Sequence, residues 1–299
     1  DTFRAAQPWY ALAAPEVIEP VVRSLLAHYR AFGRLPVMSY GGKNVDCMIG
    51  NHAVPVIVDA YLKGFRGFDA TRAFEAITNT LTVAHPGKPK ENWDLYDRYG
   101  YFPCDVIKGE SVSRTLECAY DDACAARFAD ALGQADAAAF FGRRAQNWRN
   151  VFDSTIRFAC GKTTQGTWRT PFDPYAFGHG GSRDNDFTEG NAFQYTWHVM
   201  QDVPGLVAAM GGRERFVETL DALFTRRAET ANATDDISGM IGQYVHGNEP
   251  SHHVIYLYPQ VGQPEKAAAR IREVFDTQYH VGPEGLCGND DCGQMSAWY

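Results

Sequence analysis

The sequence has no unbroken run of roughly 18 apolar residues, the least that spans a membrane as a helix, so no span is expected. It has no cluster of lysine and arginine either. Its formal charge of −8 opposes a nucleic-acid partner, because phosphates are gripped mainly by such clusters. The seven cysteines, Cys47, Cys104, Cys118, Cys124, Cys160, Cys287 and Cys292, contain no C-x-x-C pair, which argues against a zinc ribbon or a thioredoxin-like site. Their odd count leaves at least one thiol free, and buried free cysteines are the expected state in a chain of this length. A Walker loop, a dinucleotide fingerprint after a strand and a G-x-S-x-G elbow are all missing. The first residues are too polar for the core of a signal peptide. The start at Asp1 rather than at methionine carries the expectation of an upstream segment that has been removed.

What is present is a globular composition: 299 residues, 45% hydrophobic and 13% aromatic, enough for one large domain or two ordinary ones. Apolar residues recur at helical spacing over 15–32, 53–65, 70–83, 111–132, 135–151, 188–200, 213–228 and 264–279. Alternating strand patterns are scarce. Glycine and proline cluster at 40–42, 85–89, 161–166, 177–182 and 282–293, marking loops between helices. Val21, Leu25, Leu26 and Tyr29 share one helical face, and Leu116, Tyr120, Ala123, Ala126 and Phe128 roughly share another; both stripes read as core. No short repeat of the solenoid kind is visible. The expected class is all-α, either a helical toroid or a large irregular bundle.

Three segments concentrate polar chemistry. Residues 183–195 place Asp184, Asp186 and Glu189 among Phe187, Phe193 and Tyr195 at a loop-to-helix junction. Aromatic faces stack on a pyranose, carboxylates and amides bond its hydroxyls, and one acid can protonate a leaving oxygen. The structural alternative is that Asp186 or Thr188 caps the following helix with Glu189 in its first turn. Residues 246–253 set His246, Asn248, Glu249, His252 and His253 around a proline-started helix. The spacing is not H-E-x-x-H, and Asn248 with Glu249 offers hard oxygens that suit calcium better than zinc; a histidine pair bonded in the core is the alternative. Residues 285–298 carry Asn289, Asp290 and Asp291 in a glycine-flanked loop ahead of a helix, where a carboxylate stays ionised and can serve as a base. A simple turn and cap would look the same, but the segment lacks the spacing of an EF-hand.

Together these segments resemble glycoside hydrolase family 92, whose members are mostly exo-acting α-mannosidases. The resemblance also rests on Asp1-Thr2-Phe3-Arg4, on Asp46-Cys47-Met48-Ile49-Gly50 with His52-Ala53-Val54-Pro55, on Gly100-Tyr101, and on Ser111-Val112-Ser113-Arg114-Thr115-Leu116-Glu117. It implies an (α/α)6 helical toroid over 1–299, incomplete at both ends and without the family's N-terminal β-sandwich. By motif, Glu189 resembles the family's general acid and Asp291 its general base, with Asp290 second in line because Asn289 stands where relatives can have a carboxylate. Gln243, Asn248 and Glu249 fall where ligands to a calcium ion are expected. Asp1 matches a residue that bonds the terminal sugar, and Arg4, Asn289, His252 and His253 are expected to line the site.

The expected partner is a mannose-containing glycan, and the expected location is secreted or periplasmic. On this reading Glu189 protonates the glycosidic oxygen while Asp291 deprotonates an attacking water, inverting the anomeric carbon. Two other readings share these residues: another toroid enzyme, phosphorolytic or lyase, and a glycan-binding module in which the carboxylates only bond hydroxyls.

Overall fold

The computed structural model describes residues 2–40, 43–88, 90–178, 185–227 and 237–288. Helices dominate: α1 (Ala6–Ala13), α2 (Ile18–Phe32), α3 (Ala53–Leu62), α4 (Ala70–Thr82), α5 (Trp93–Tyr99), α6 (Ser111–Ala131), α7 (Ala135–Arg144), α8 (Ala192–Tyr195), α9 (Val203–Ala209), α10 (Arg213–Thr225), α11 (Leu257–Gln260) and α12 (Pro264–Gln278). Strands among the described residues are confined to three antiparallel hairpins: β1 (Met38–Tyr40) with β2 (Lys43–Val45), β3 (Phe152–Asp153) with β4 (Phe158–Ala159), and β5 (Met240–Ile241) with β6 (Tyr244–Val245). The all-α expectation holds.

The longest helix, α6, organises the rest. Val112, Leu116 and Ala119 face a core built with Trp148, Trp197, Phe216, Tyr244 and Tyr258. Cys118, Ala125 and Phe128 face a second core built with Val22, Ile57, Ile77, Tyr96 and Phe141. A helix clad on both sides cannot have a simple apolar stripe, so its remaining inward positions are available for charge. On α2 the buried stripe is Ile18, Val22, Leu26 and Tyr29, with Val21 and Leu25 half-buried beside it.

Two predicted helices are cut short. The segment predicted over 135–151 breaks after Arg144 into a tight turn at Asn147–Val151, where Asn150 Nδ2 donates to Gly100 O at 2.9 Å and Trp148 is fully buried. The segment predicted over 188–200 shrinks to the single turn of α8. Its start is fixed by Asn191, whose side chain accepts from the amides of Phe193 and Gln194 while Gln194 bonds back to Asn191, a capping box. At its other end the Thr196 hydroxyl donates to Ala192 O at 2.6 Å, a local bond that competes with continuing the helix. The proline at 250 starts a 3-10 turn, Glu249–Ser251, rather than a longer helix.

Candidate active site

A buried carboxylate must be paired, and α6 carries Glu117 and Asp121 one turn apart, both inside the protein. Glu117 is the hub. Arg4 Nη2 donates to its Oε1 at 2.8 Å, and the Nε2 atoms of His52 and His198 approach its Oε2 at 3.0 and 2.9 Å. These three cations or donors hold its carboxyl well below the usual range despite burial, which pushes the other way and more strongly than any single partner.

His52 has a carboxylate on each nitrogen, since Nδ1 lies 3.2 Å from Asp121 Oδ1. Burial lowers its pKa, but Glu117 and Asp121 together raise it above the ordinary value, which favours the imidazolium. The second Asp121 oxygen accepts the Asn51 amide at 2.6 Å. Gly50, at φ +69°, makes this turn feasible, because a Cβ there would sit 2.7 Å from His52 Cε1. His198 has a different state. Burial lowers its pKa, Glu117 opposes without overcoming it, and its Nδ1 faces Arg4 Nη1 at 3.5 Å, as the acceptor of a neutral ring would.

Glu189 arrives on a strap that crosses the N-terminus of α6. The carbonyls of Asn185 and Asp186 accept from Glu110, Val112 and Ser113 amides, and Asp186 Oδ1 accepts the Ser111 hydroxyl at 2.7 Å. Arg169 grips the same carboxylate through Nε at 2.5 Å and Nη2 at 2.9 Å. Asp186 thus caps α6 through its backbone carbonyl, and not the following helix, whose cap is Asn191. Glu189 lies two residues before that cap with φ +46°, a left-handed conformation that costs a non-glycine residue about 1–3 kcal/mol. The Asn248 amide donates to its carbonyl at 3.3 Å and reaches its Oε2 at 3.5 Å.

Charges place the remaining residues around this pair of glutamates. The Tyr195 hydroxyl is pushed far above its ordinary pKa by burial first, then by Glu117, with Glu189 adding to the effect and Arg4 opposing it. His252 is driven down to about 4 by burial, with Arg4 as an added repulsion, and its Nε2 donates to His246 O at 3.0 Å. His253 is driven down to about 3 by burial and by His198, and its Nε2 donates to Trp197 O at 2.9 Å. Arg4, Glu117, Tyr195, His198, Glu189, His252 and His253 therefore share one neighbourhood, lined by both neutral imidazoles and fixed charges.

Of the residues expected to hold calcium, Gln243 is fully buried: its Nε2 donates to Arg226 O at 3.3 Å and its Oε1 accepts Asn191 Nδ2 at 3.0 Å, which leaves one oxygen lone pair over. Asn248 and Glu249 follow on the turn that faces Glu189. Two amide oxygens and a carboxylate are the hard donors calcium takes, short of its roughly six to eight ligands, so the remainder would come from water and hydroxyls. In donor type alone these residues suit such an ion. Among the described residues no group of three His, Cys, Asp or Glu is arranged to hold a metal.

Asp1, Asn289, Asp290 and Asp291 lie outside the described residues. Sequence reasoning gave no chemical role to Glu117, His52, Asp121 or His198. Glu117 and His52 sit in segments that carry the family resemblance, and this was their one visible signal.

The mostly helical fold, with Arg4, Glu117 and His198 clustered near Glu189, matches the helical toroid of glycoside hydrolase catalytic domains. The model of the "Glycosyl hydrolase family 92 catalytic domain" matches residues 1–299, and the chain belongs to that family. The fold superimposes on the family GH92 alpha-mannosidase BT3965 from Bacteroides thetaiotaomicron in complex with mannoimidazole, at TM-score 0.90 and 42% identity, covering 100% of this chain and 39% of that one. The inverting mannosidase BT2199 from the same organism matches at TM-score 0.87 and 36% identity, over 100% and 41% of the two chains. An uncharacterized secreted glycosidase of Arthroderma benhamiae is 29% identical over 308 residues, 92% of this chain and 37% of that protein. The chain thus spans about two fifths of the length of the proteins it matches. Among the described residues no helix is long and apolar enough to cross a membrane.

Proposed function

We propose that this chain is the catalytic stretch of a secreted or periplasmic exo-α-mannosidase that removes terminal mannose from glycans with inversion. The observation that carries this reading is the placement of Glu189, strained and bonded to Asn248, beside the Arg4–Glu117–His198 cluster. Similarity to an α-mannosidase at 42% identity and to an inverting mannosidase at 36% supports the substrate and the stereochemistry. The secreted relative supports the location.

In this proposal Glu189 donates its proton to the glycosidic oxygen as the bond breaks. Asp291, with Asp290 as its nearest substitute, takes a proton from the water that attacks the opposite face of the sugar. An inverting pair leaves room for that water when its carboxyls are roughly 6.5–9.5 Å apart. Arg4, pinned by Glu117, and the neutral rings of His252 and His253 line the pocket, with Asp1 and Asn289 assigned to the terminal sugar. Gln243, Asn248 and Glu249 would hold a calcium ion, which would supply Lewis-acid contact to sugar hydroxyls.

The test is hydrolysis of α-1,2-linked mannobiose by the full-length enzyme, followed by proton NMR with and without a calcium chelator. Initial release of β-mannose that stops on chelation and returns with calcium supports the proposal. Initial release of α-mannose would overturn inversion, and no release from folded protein would turn the reading toward another glycoside or a glycan-binding module.

A further inference from the structure

On another face, between α2 and α4, the surface is concave. A cleft of about 560 Å³ opens there, within the roughly 300–1,000 Å³ typical of small-molecule sites. Its lining includes Arg23, Arg30, Arg66 and Arg72 with one carboxylate, Asp69, and beside it Glu19 pairs with Arg23 at 3.8 Å. In a chain of net charge −8 this local balance is reversed, and the four arginines are too scattered in sequence to register as a basic cluster.

The cleft is built rather than incidental. Arg23, Ala27 and Arg30 follow each other at helical spacing on one face of α2, and the small Ala27 between the two guanidinium groups leaves the floor open beside Leu26 and Phe68. Glu19 Oε1 accepts the amides of Arg66 and Gly67 at 3.1 and 2.6 Å, and Arg23 Nη1 donates to Gly67 O at 2.9 Å. Gly67 is required for this, because a Cβ would come within 1.9 Å of Glu19 Oε2. The Arg66 guanidinium lies 3.8 Å over the Tyr61 ring. The guanidinium groups of Arg30 and Arg72 make no hydrogen bond or ion pair with the described residues. Arg72 stands in the first turn of α4, where its amide is capped by Asp69 at 2.9 Å and a cation meets the positive end of the helix dipole. An anion against it removes that penalty.

We propose that this cleft binds an organic phosphate or sulfate ester, its oxyanion gripped by Arg30 and Arg72 and its organic part seated over Leu26, Ala27 and Phe68. Arginine suits such oxyanions because its planar fork bonds two oxygens at once. The opening is larger than a bare ion needs, and the apolar floor gives the organic part a surface to cover.

The experiment is calorimetric titration of the full-length protein with glucose 6-phosphate, inorganic phosphate and glucose, for the wild type and for Arg30→Gln/Arg72→Gln. The expected result is binding of glucose 6-phosphate but not glucose, weakened tenfold or more in the double variant, with mannoside hydrolysis unchanged. Equal affinity for inorganic phosphate would assign the site to the free ion and overturn the seat for an organic part. No binding of either anion, or equal binding by the variant, overturns the site. If the double variant lowers Tm, the single Arg30→Gln variant, on the exposed side of α2, reads the same loss.

Discussion

Arg4 and Glu117, 113 residues apart, meet at 2.8 Å inside the protein, and His52 and His198 close on the other oxygen of the same carboxylate. Two anions, Glu117 and Asp121, stand against two cations, Arg4 and His52. Glu117→Gln keeps the volume but leaves Arg4 and His52 facing a neutral amide. Breaking one side of a buried pair costs about 3–5 kcal/mol, so a clear fall in the denaturation midpoint is expected. Misplacing Arg4 should also lower kcat/KM on the order of 10²-fold. An unchanged midpoint would mean the cluster is not a charged one.

The strap that carries Glu189 depends on Asp186, which binds Ser111 and Arg169 at once. Gly161 makes space for it, since a Cβ there would lie 2.0 Å from Asp186 Oδ2. Asp186→Ala keeps the backbone carbonyl that caps α6 but strands the Arg169 charge and leaves the Ser111 hydroxyl without its acceptor, with an expected stability loss of about 2–4 kcal/mol. Glu189 would then be held less firmly, so kcat should fall more than KM rises. A variant with lower stability but intact kcat would separate the side-chain anchor from catalysis.

Much of this was visible in the sequence. The 3.6-residue periodicity located the main helices to within a few residues, because apolar burial and helix period coincide in α2, α4 and α12. It failed for residues 188–200, where Asn191 and Thr196 satisfy backbone groups through local side-chain bonds and override the period. Glu189 and Asn248 were legible as chemistry because they stand in polar loops. Glu117 was not, because a carboxylate in a long helix normally faces water, and Arg4, His52 and His198, which close on it, come from distant segments. The arginine cleft escaped notice because α2 and α4 bring its members together only in three dimensions.

Leaving-group dependence distinguishes the two carboxylates assigned to the reaction. Glu189→Gln should slow natural mannosides by on the order of 10²–10⁴-fold and activated aryl mannosides far less, because an acidic phenol departs without a proton. Asp291→Asn should abolish both, since the attacking water loses its base. Equal losses on the two substrates in Glu189→Gln would remove Glu189 from the acid role.

The histidines around the hub set opposite slopes on stability against pH. His198 and His253 have folded pKa values below the unfolded 6.5, His253 at about 3, so below 6.5 the unfolded chain binds protons that the native site refuses. Stability therefore declines as pH falls from 6.5, each histidine contributing a slope of up to about 1.4 kcal/mol per pH unit. Glu117 steepens the fall below its unfolded value of 4.5, because its folded carboxyl resists protonation. His52 acts on the other side: its folded pKa is raised, so its contribution is complete below 6.5 and is lost as pH climbs through the folded value. Denaturation midpoints measured from pH 5 to 9 should peak near neutrality, and His52→Gln should flatten only the alkaline limb. Loss of the acid limb in that variant would show that His52, and not His198 or His253, is the ring that refuses the proton.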